Sequence, residues 1–308
     1  MSTSPTTSSS STTTTGIPGH AEFYDITTGI WTTTGSMNVA RQYHTASILG
    51  NGIVLVTGGN NGSIYLYSAE LYDPTTGIWT TTGNMNYARI FHTASLLENG
   101  NVLVTGGFGR IYLSSAELYD PTTGNWTSTG NMNFAREYHT AAILRNGIVL
   151  VTGGYYKSAL NSAELYNSTT GIWTITEKMV FARQSHTASL LENGNVLVTG
   201  GSGSSYLSSA ELYDPITSSW TTTGSMNVAR ENHTASILGN GTVLVTGGSS
   251  SSYLSSAELY DPTTGSWTST RNMNFAREYH TASILGNGKV LVTGGYNGSN
   301  SLNSAELY

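Results

Sequence analysis

A segment of 20 residues occurs six times along the chain, and this repetition restricts the fold more than any other feature. The first copy runs from Ala40 to Gly59 and contains an Arg-x-x-His motif, an Asn-Gly dipeptide and a closing Gly-Gly pair. The other copies occupy residues 88–107, 135–154, 182–201, 229–248 and 276–295. A fixed period in this size range is typical of stacked supersecondary units that bury their apolar faces against one another.

Each period contains signals for four β-strands. In the first complete period we predict strands over His44–Leu49, Ile53–Thr57 and Ser68–Tyr72, followed by a fourth strand that carries Trp79. The second strand is apolar on both faces, which favours burial from above and below. No stretch shows a helical period, so we expect an all-β fold. Tryptophan marks the fourth strand of each period, at Trp31, Trp79, Trp126, Trp173, Trp220 and Trp267.

Two kinds of turn signal separate these strands. Asn51-Gly52 predicts a tight hairpin between the first two strands, in a type I′ turn with both central residues at positive φ. Asp73-Pro74-Thr75-Thr76-Gly77 predicts the turn before the fourth strand, because Asp favours the first turn position and Pro fixes φ at the second.

The composition excludes several functional classes. Only 10% of the residues are charged and the net charge is −6, so the chain has no basic surface for nucleic acid. It has no cysteine, which removes disulfides, thiol catalysis and cysteine-ligated metals. Apolar runs such as Ile53–Val56 are too short to span a bilayer. We expect residues 1–19 to form a disordered Ser/Thr-rich leader without signal-peptide features, and both a cytoplasmic and an extracellular location are compatible with this.

Four-stranded antiparallel sheets with two apolar faces can bury both of them when they are arranged around an axis. The Arg-x-x-His-Thr-Ala motif, the Gly-Gly pair, the Glu-Leu-Tyr-Asp-Pro run and the spaced Trp resemble kelch repeats from Ala21 to Tyr308. Val-Leu-Val-Thr-Gly-Gly is similar to the galactose-oxidase-like variety. The resemblance implies a six-bladed kelch-type β-propeller over residues 20–308, with one repeat of about 47 residues per blade.

The ring closure is unusual because Ala-Glu-[Leu/Phe]-Tyr occurs seven times, at both Ala21–Tyr24 and Ala305–Tyr308. We expect the Trp31 strand to become the outer strand of the blade that His280 begins, which would remove the exposed edges at the seam. One third-strand copy is then left over. Alternatively, the chain belongs to a longer array.

The repeated polar residues are best interpreted as structural. A histidine ring on one axis could bind a metal, but metal sites use a few ligands at unequal positions. We expect the six histidines to pack and hydrogen-bond within the blades. We also expect each repeated Arg to pair with the repeated Glu of its blade, since buried charges need partners. The histidines are His44, His92, His139, His186, His233 and His280. The paired residues are Arg41, Arg89, Arg136, Arg183, Arg230 and Arg277 with Glu70, Glu117, Glu164, Glu211 and Glu258.

The sequence argues against an enzyme. The copper radical site that the galactose-oxidase resemblance implies requires a tyrosine cross-linked to cysteine, and the chain has no cysteine. A hydrolase would need a few non-repeating acids in a cleft. The non-repeating acids are expected at turns or loop edges, at Glu98, Glu137, Glu177, Glu192, Glu231 and Glu278. We therefore predict no catalytic residue, no metal site and no cofactor.

Two windows vary between the repeats, namely the residue before each His and the residue after each Gly-Gly. In kelch propellers, loops at these two positions form a ligand-binding face, which implies a face rich in aromatic residues here. Exposed rings beside Ser and Asn suit a sugar or an uncharged peptide, although tyrosines that merely coat a β-surface would give the same pattern. The predicted face comprises Tyr43, Phe91, Tyr138, Tyr279, Asn60, Phe108, Tyr155 and Tyr296.

We therefore expect a monomeric, non-catalytic binding scaffold for a protein or a glycan. The alternatives are a carbohydrate-active or carbohydrate-binding module of a larger extracellular enzyme, and a recently duplicated array without a ligand. An adaptor role in ubiquitin-ligase assembly would need a companion domain of the BTB or F-box type, which the sequence does not contain.

Overall fold

The computed structural model describes residues 20–308, and the expected leader lies outside the described residues. Twenty-five strands and no helix are present in this part of the chain. They form a β-propeller of six blades, as the sequence predicts. Since residues 20–308 contain no helix, they contain none that could cross a membrane.

The first five blades have four antiparallel strands each, in the order of the chain. Blade 1 contains β3 (Thr45–Ile48), β4 (Val54–Thr57), β5 (Ala69–Asp73) and β6 (Ile78–Thr81). Blade 2 contains β7 (Thr93–Leu96), β8 (Val102–Thr105), β9 (Ala116–Asp120) and β10 (Asn125–Ser128). Blade 3 contains β11 (Thr140–Ile143), β12 (Val149–Thr152), β13 (Ala163–Asn167) and β14 (Ile172–Ile175). Blade 4 contains β15 (Thr187–Leu190), β16 (Val196–Thr199), β17 (Ala210–Asp214) and β18 (Ser219–Thr223). Blade 5 contains β19 (Thr234–Ile237), β20 (Val243–Thr246), β21 (Ala257–Asp261) and β22 (Ser266–Thr270).

The two ends of the described chain differ from this pattern. Blade 6 has three strands, β23 (Thr281–Ile284), β24 (Val290–Thr293) and β25 (Ala305–Leu307). Before blade 1, β1 (His20–Asp25) and β2 (Ile30–Ser36) form a separate hairpin. The first strands of successive blades lie next to one another, from β3 beside β7 to β19 beside β23, so they line the central axis.

The apolar core lies between neighbouring blades. Between blades 2 and 3, for example, Leu97 and Leu103 pack against Val149, Val151 and Tyr166. All four residues of the second strand are buried in blades 2 to 5, because such a strand contacts a neighbouring blade on each face. Burying these side chains is the main favourable contribution to the stability of the ring.

The hairpin turn differs from the sequence prediction. In all six copies only the glycine has a positive φ, for example 83° at Gly52. The Gly52 N–H donates to Leu49 O at 2.9 Å, and the Leu49 N–H donates to Ile53 O at 2.8 Å. The prediction of a type I′ turn was therefore wrong. The loop has three residues, so that only its last residue takes the left-handed conformation, while Asn51 accepts the Ile53 N–H at 3.1 Å.

The predicted ring closure was also wrong. β2, which carries Trp31, pairs with β1 (Tyr24 opposite Trp31), and the third strand of blade 6 is β25. The β1–β2 hairpin packs on blade 1, where Thr34 Oγ1 lies 2.7 Å from the Tyr72 hydroxyl. The physical reason is local competition: β1 is itself a complete third strand, and it pairs with its neighbour in the chain more readily than β2 pairs with a distant blade.

Candidate functional site

A buried ion pair in every blade fixes the backbone beneath the predicted binding face. In blade 3, Arg136 Nη2 lies 2.8 Å from Glu164 Oε1, and both side chains are fully buried. Arg136 also donates to the carbonyls of Gly153 and Ser162, while Glu164 accepts the Asn133 N–H at 2.7 Å. The predicted Arg–Glu pairing is confirmed in the five predicted pairs, and Glu306 completes the sixth. These bonds connect the Gly-Gly segment to the chain before the repeated His.

Five of the six repeated histidines join neighbouring blades, and His44 is the exception. His139 Nε2 lies 3.1 Å from Thr93 Oγ1 and 3.2 Å from Thr105 Oγ1, both in the preceding blade. Burial, with the nearby Arg136 charge, lowers the pKa of His139 to about 3, so the imidazole is neutral at physiological pH. The structural interpretation of these residues is confirmed. Among residues 20–308, no group of three or more potential ligands is placed to hold a metal ion.

The residue before each histidine forms an inner ring at one end of the axis. All six members are in the left-handed conformation, with φ between 52° and 57°. The Tyr138 N–H donates to Phe91 O at 3.1 Å, and the Ser185 N–H donates to Tyr138 O at 3.0 Å, so successive blades are linked there. Non-glycine residues rarely adopt this conformation, and such strain is concentrated at functional sites. The members of the inner ring are Tyr43, Phe91, Tyr138, Ser185, Asn232 and Tyr279.

The second variable window lies directly beside the inner ring. β-bridges join Ile90 to Phe108 and Glu137 to Tyr155, and the same pairing recurs in the other blades. All eight residues of the predicted face are half-buried at this end of the propeller. We call the inner ring and this window together the mouth. The second window consists of Asn60, Phe108, Tyr155, Ser202, Ser249 and Tyr296.

One half of the mouth, on blades 1 to 3, is aromatic. The ring of Phe91 lies 4.6 Å from that of Tyr43 and stacks on that of Tyr138 at 4.0 Å, measured between centroids. Farther from the axis, Tyr112 lies 5.3 Å from Phe108 and 6.0 Å from Tyr155. Burial raises the pKa of Tyr138, so its hydroxyl stays protonated. This half offers apolar ring faces and hydroxyl groups.

The other half, on blades 4 to 6, is rich in carboxylates and hydroxyls. Glu278 accepts hydrogen bonds from Ser249 Oγ at 2.7 Å and from Asn232 Nδ2 at 3.1 Å. Glu231 accepts one from Ser202 Oγ at 2.5 Å, and burial, with the neighbouring Glu278 charge, raises the pKa of Glu231. A pocket of about 310 Å³ opens here. Its walls include Tyr206, Glu231, Asn232, Ser249, Tyr253, Glu278 and Tyr279.

These glutamates were not predicted as site residues. We expected Glu137, Glu231 and Glu278 at turns or loop edges, but each immediately precedes a member of the inner ring and lies in the mouth. The signal was present in the first x of Arg-x-x-His, which is as variable as the two windows. That position holds Gln42, Ile90, Glu137, Gln184, Glu231 and Glu278.

Comparisons with known proteins agree on the fold. The sequence profile described as the KLHDC2/KLHL20/DRC7 Kelch-repeats domain matches residues 80–248. The Kelch motif profile matches residues 42–86, 232–274 and 279–308. No curated protein matches the chain. Among solved structures, a fungal alcohol oxidase of the AA5 family in complex with copper has a TM-score of 0.77 at 20% identity, covering 96% of this chain and 68% of its own.

The copper of that oxidase does not fit the residues of this chain. No cysteine is available, and the described residues contain no metal-ligating cluster. The likeness to the oxidase therefore concerns the fold alone.

Proposed function

We propose that this protein, whose chain belongs to the kelch-repeat family, is a non-catalytic binding scaffold that engages its ligand through the mouth. Kelch-repeat domains commonly act as interaction scaffolds. The framework of Arg–Glu pairs and histidines recurs in every blade, whereas the mouth differs from blade to blade. This division supports a recognition role for the mouth, because binding residues are placed on loops that a rigid scaffold positions.

A glycan fits the mouth better than an uncharged peptide, and the pocket on blades 4 to 6 carries this conclusion. Hydroxyl groups of a sugar can donate to the carboxylates of Glu231 and Glu278, which their Ser and Asn partners already orient. The tyrosine rings, of which Tyr253 and Tyr296 lie 5.7 Å apart in a T-shaped pair, offer faces for the apolar side of a sugar. Few polar groups at fixed positions beside aromatic walls are typical of small-ligand sites.

The test is a glycan-array screen of the full chain. We expect the wild type to bind a glycan and the variants Glu278→Gln and Tyr253→Ala each to bind it about tenfold more weakly. Glu278→Gln loses a charged hydrogen-bond acceptor, and Tyr253→Ala loses a ring that packs on the sugar. Ile172→Ala, an exposed position on the fourth strand of blade 3, is the control and should bind like the wild type. Absence of binding to every glycan would contradict the sugar proposal, and a protein partner would then be sought with the same variants.

A carbohydrate-active enzyme is the second candidate, and one observation favours it. Glu231 and Glu278 share one pocket, and the pKa of Glu231 is raised, as a general acid requires. Incubation of any bound saccharide with wild type and with Glu231→Gln tests this. Release of new reducing ends by the wild type alone would establish hydrolysis, whereas an intact saccharide in both would support the scaffold.

A further inference from the structure

Glu137 differs from its two counterparts in the mouth. Glu231 and Glu278 each accept a hydrogen bond from a serine of the preceding blade, Ser202 and Ser249 respectively. Both serines occupy the position after Gly-Gly. For Glu137, the equivalent position in the preceding blade is Phe108, whose ring cannot donate a hydrogen bond.

Glu137 is nonetheless buried. Only 9% of the residue is exposed. Within residues 20–308 its carboxylate makes no ion pair and no side-chain hydrogen bond, and its oxygens are not among the fully enclosed polar atoms. Its backbone is fixed by two hydrogen bonds to Tyr155, at 3.1 and 2.7 Å. Burying a carboxylate without a donor is unfavourable for its charged form, and desolvation accordingly raises the pKa of Glu137 to about 7. A ligand that supplied a positive charge would remove this penalty.

Aromatic rings of blades 2 and 3 cluster beside the β-bridge that joins Glu137 to Tyr155. Tyr112 contacts Phe108, Tyr155 and Tyr156, with centroid distances of 5.3, 6.0 and 5.4 Å. Glu137 pairs with Tyr155 across a β-bridge, and the ring of Tyr155 in turn contacts Tyr112. Desolvation and the charge of Glu137 both raise the pKa of Tyr112. At the rim of this cluster, Lys157 Nζ lies 5.4 Å from the ring centroid of Tyr156. An alkylammonium group thus already contacts one of these rings.

We propose that Glu137, Tyr112 and Tyr155 form a binding site for an alkylammonium group. The carboxylate accepts N–H bonds and neutralises the cation, and the ring faces attract it through their quadrupoles. An anion would meet Glu137 without a compensating donor. The neighbouring cation Arg136 is bonded to Glu164 and is not free to compete for Glu137. The site lies on blades 2 and 3, apart from the pocket proposed for sugars, so either proposal can fail without the other.

The alkylammonium group could belong to a small free amine or to a lysine side chain of a protein. Two probes separate these sources, n-butylammonium chloride and Nα-acetyl-lysine methylamide. Isothermal titration calorimetry of the full chain with each probe measures the binding. We expect binding of both probes if free amines are sufficient, and of the lysine derivative alone if the adjoining peptide groups contribute.

Two variants and one control test the assignment. Glu137→Gln keeps the shape of the side chain and removes its charge, and we expect about tenfold weaker binding. Phe108→Ser gives Glu137 the donor that its counterparts have, so we expect weaker amine binding together with a lower Glu137 pKa by NMR titration. Glu98→Gln, an exposed acid at the opposite end of the propeller, should bind like the wild type.

The affinity should also rise with pH between about 6 and 8, because only the ionised carboxylate pairs with the cation and its pKa is about 7. The titratable and charged groups around Glu137 are Tyr112, Tyr138, Tyr155, Arg136 and Lys157. Burial raises the pKa of Tyr112 and of Tyr138, so neither ionises in that range, and Arg136 stays charged in its pair with Glu164. Equal affinity in wild type and in folded Glu137→Gln would overturn the proposal, as would absence of binding to both probes. Circular dichroism of each variant establishes that it is folded.

Discussion

The five junctions that join consecutive blades, from blades 1 and 2 to blades 5 and 6, are alike. The sixth junction, the seam where blade 6 meets blade 1, is different. At the regular junctions, a histidine bonds the threonine pair of the preceding blade, and a glycine N–H donates to the next blade's arginine carbonyl, as from Gly154 to Arg183 at 2.8 Å. At the seam, Thr281 and Thr293 bond each other at 2.8 Å, and no hydrogen bond from His44 reaches them in the described chain. The seam is therefore held by fewer specific contacts than the other junctions.

The difference is also visible in packing. A Cβ added at Gly153 would lie 2.4 Å from Arg183 O, whereas one added at Gly294 would have Leu302 O as its nearest neighbour, at 3.7 Å. Met179 is 1% exposed, but the equivalent Met37, which precedes blade 1, is only half-buried. Identical sequence motifs thus produce tight contacts at the regular junctions and looser ones at the seam. Stability depends on the neighbour as much as on the motif, as expected for repeat architectures.

The largest expected effect comes from removing the buried arginine of an interior blade. Arg136→Leu leaves Glu164 buried without its partner, and we expect a loss of about 3–5 kcal/mol in the free energy of unfolding. Arg277→Leu should cost less, because the side chain of its partner Glu306 is 12% exposed and water can solvate it. Urea denaturation measures both. Equal losses would mean that the Arg277–Glu306 pair is shielded from water as well as the Arg136–Glu164 pair.

Alanine substitutions at Gly153 and at its seam equivalent Gly294 test how closely the backbones of neighbouring blades approach each other. Gly153→Ala should lower the free energy of unfolding by about 3 kcal/mol, since left-handed strain and overpacking add. Gly294→Ala has the same strain at φ of 66° but no close contact, so we expect about 1 kcal/mol. Thermal denaturation of the two variants is the measurement, and a larger effect at Gly294 would contradict the comparison.

Alanine substitutions at His139 and at its seam equivalent His44 should differ less in stability. His139→Ala removes the bond across a regular junction, and we expect a loss about 1–2 kcal/mol greater than that of His44→Ala, which lacks such a bond. Urea midpoints of the two variants, measured with the wild type at pH 7.5, provide the answer. If His44→Ala is the more destabilised, His44 must have a partner across the seam in solution.

The pH dependence should show the smallest difference. Burial lowers the pKa of His139 to about 3 and that of His44 to about 4, both from an ordinary value of 6.5. The unfolded chain binds protons first, so the stability contributed by these neutral rings is complete above pH 6.5 and is lost as pH falls toward these values. His139→Ala should flatten the stability profile between pH 6.5 and 3 slightly more than His44→Ala does. Identical profiles would remove the distinction.

Much of the fold could be predicted from the sequence because the same local signals occur in every repeat. The strand positions, the turn at Asp73 and the Arg–Glu pairs follow from residue types at a fixed spacing. The seam could not be predicted in this way. Ala21–Tyr24 and Ala305–Tyr308 have nearly the same sequence, so local preference does not decide which copy joins blade 6.

The candidate site was only partly predictable for a related reason. The two windows of the mouth were visible as variable positions, and the structure places them side by side. The state of Glu137, however, depends on Phe108, which is distant in sequence and belongs to another blade. A single repeat contains no sign of this contact, because the partner of each glutamate is supplied by the preceding blade.

The left-handed inner ring has a consequence for how this protein could be redesigned. Glycine would relieve about 1 kcal/mol of backbone strain at each of the six positions, yet every position holds a side chain. A glycine-substituted ring would lose this strain together with the contacts of Phe91 with Tyr43 and Tyr138, and its mouth would present no side chain at these six positions. Because the repeated Arg and His residues lie beneath the ring, its six positions can be varied without changing them, which makes the propeller a scaffold for combinatorial libraries of new binders. Stacked neighbours such as Phe91 and Tyr138 should be varied together.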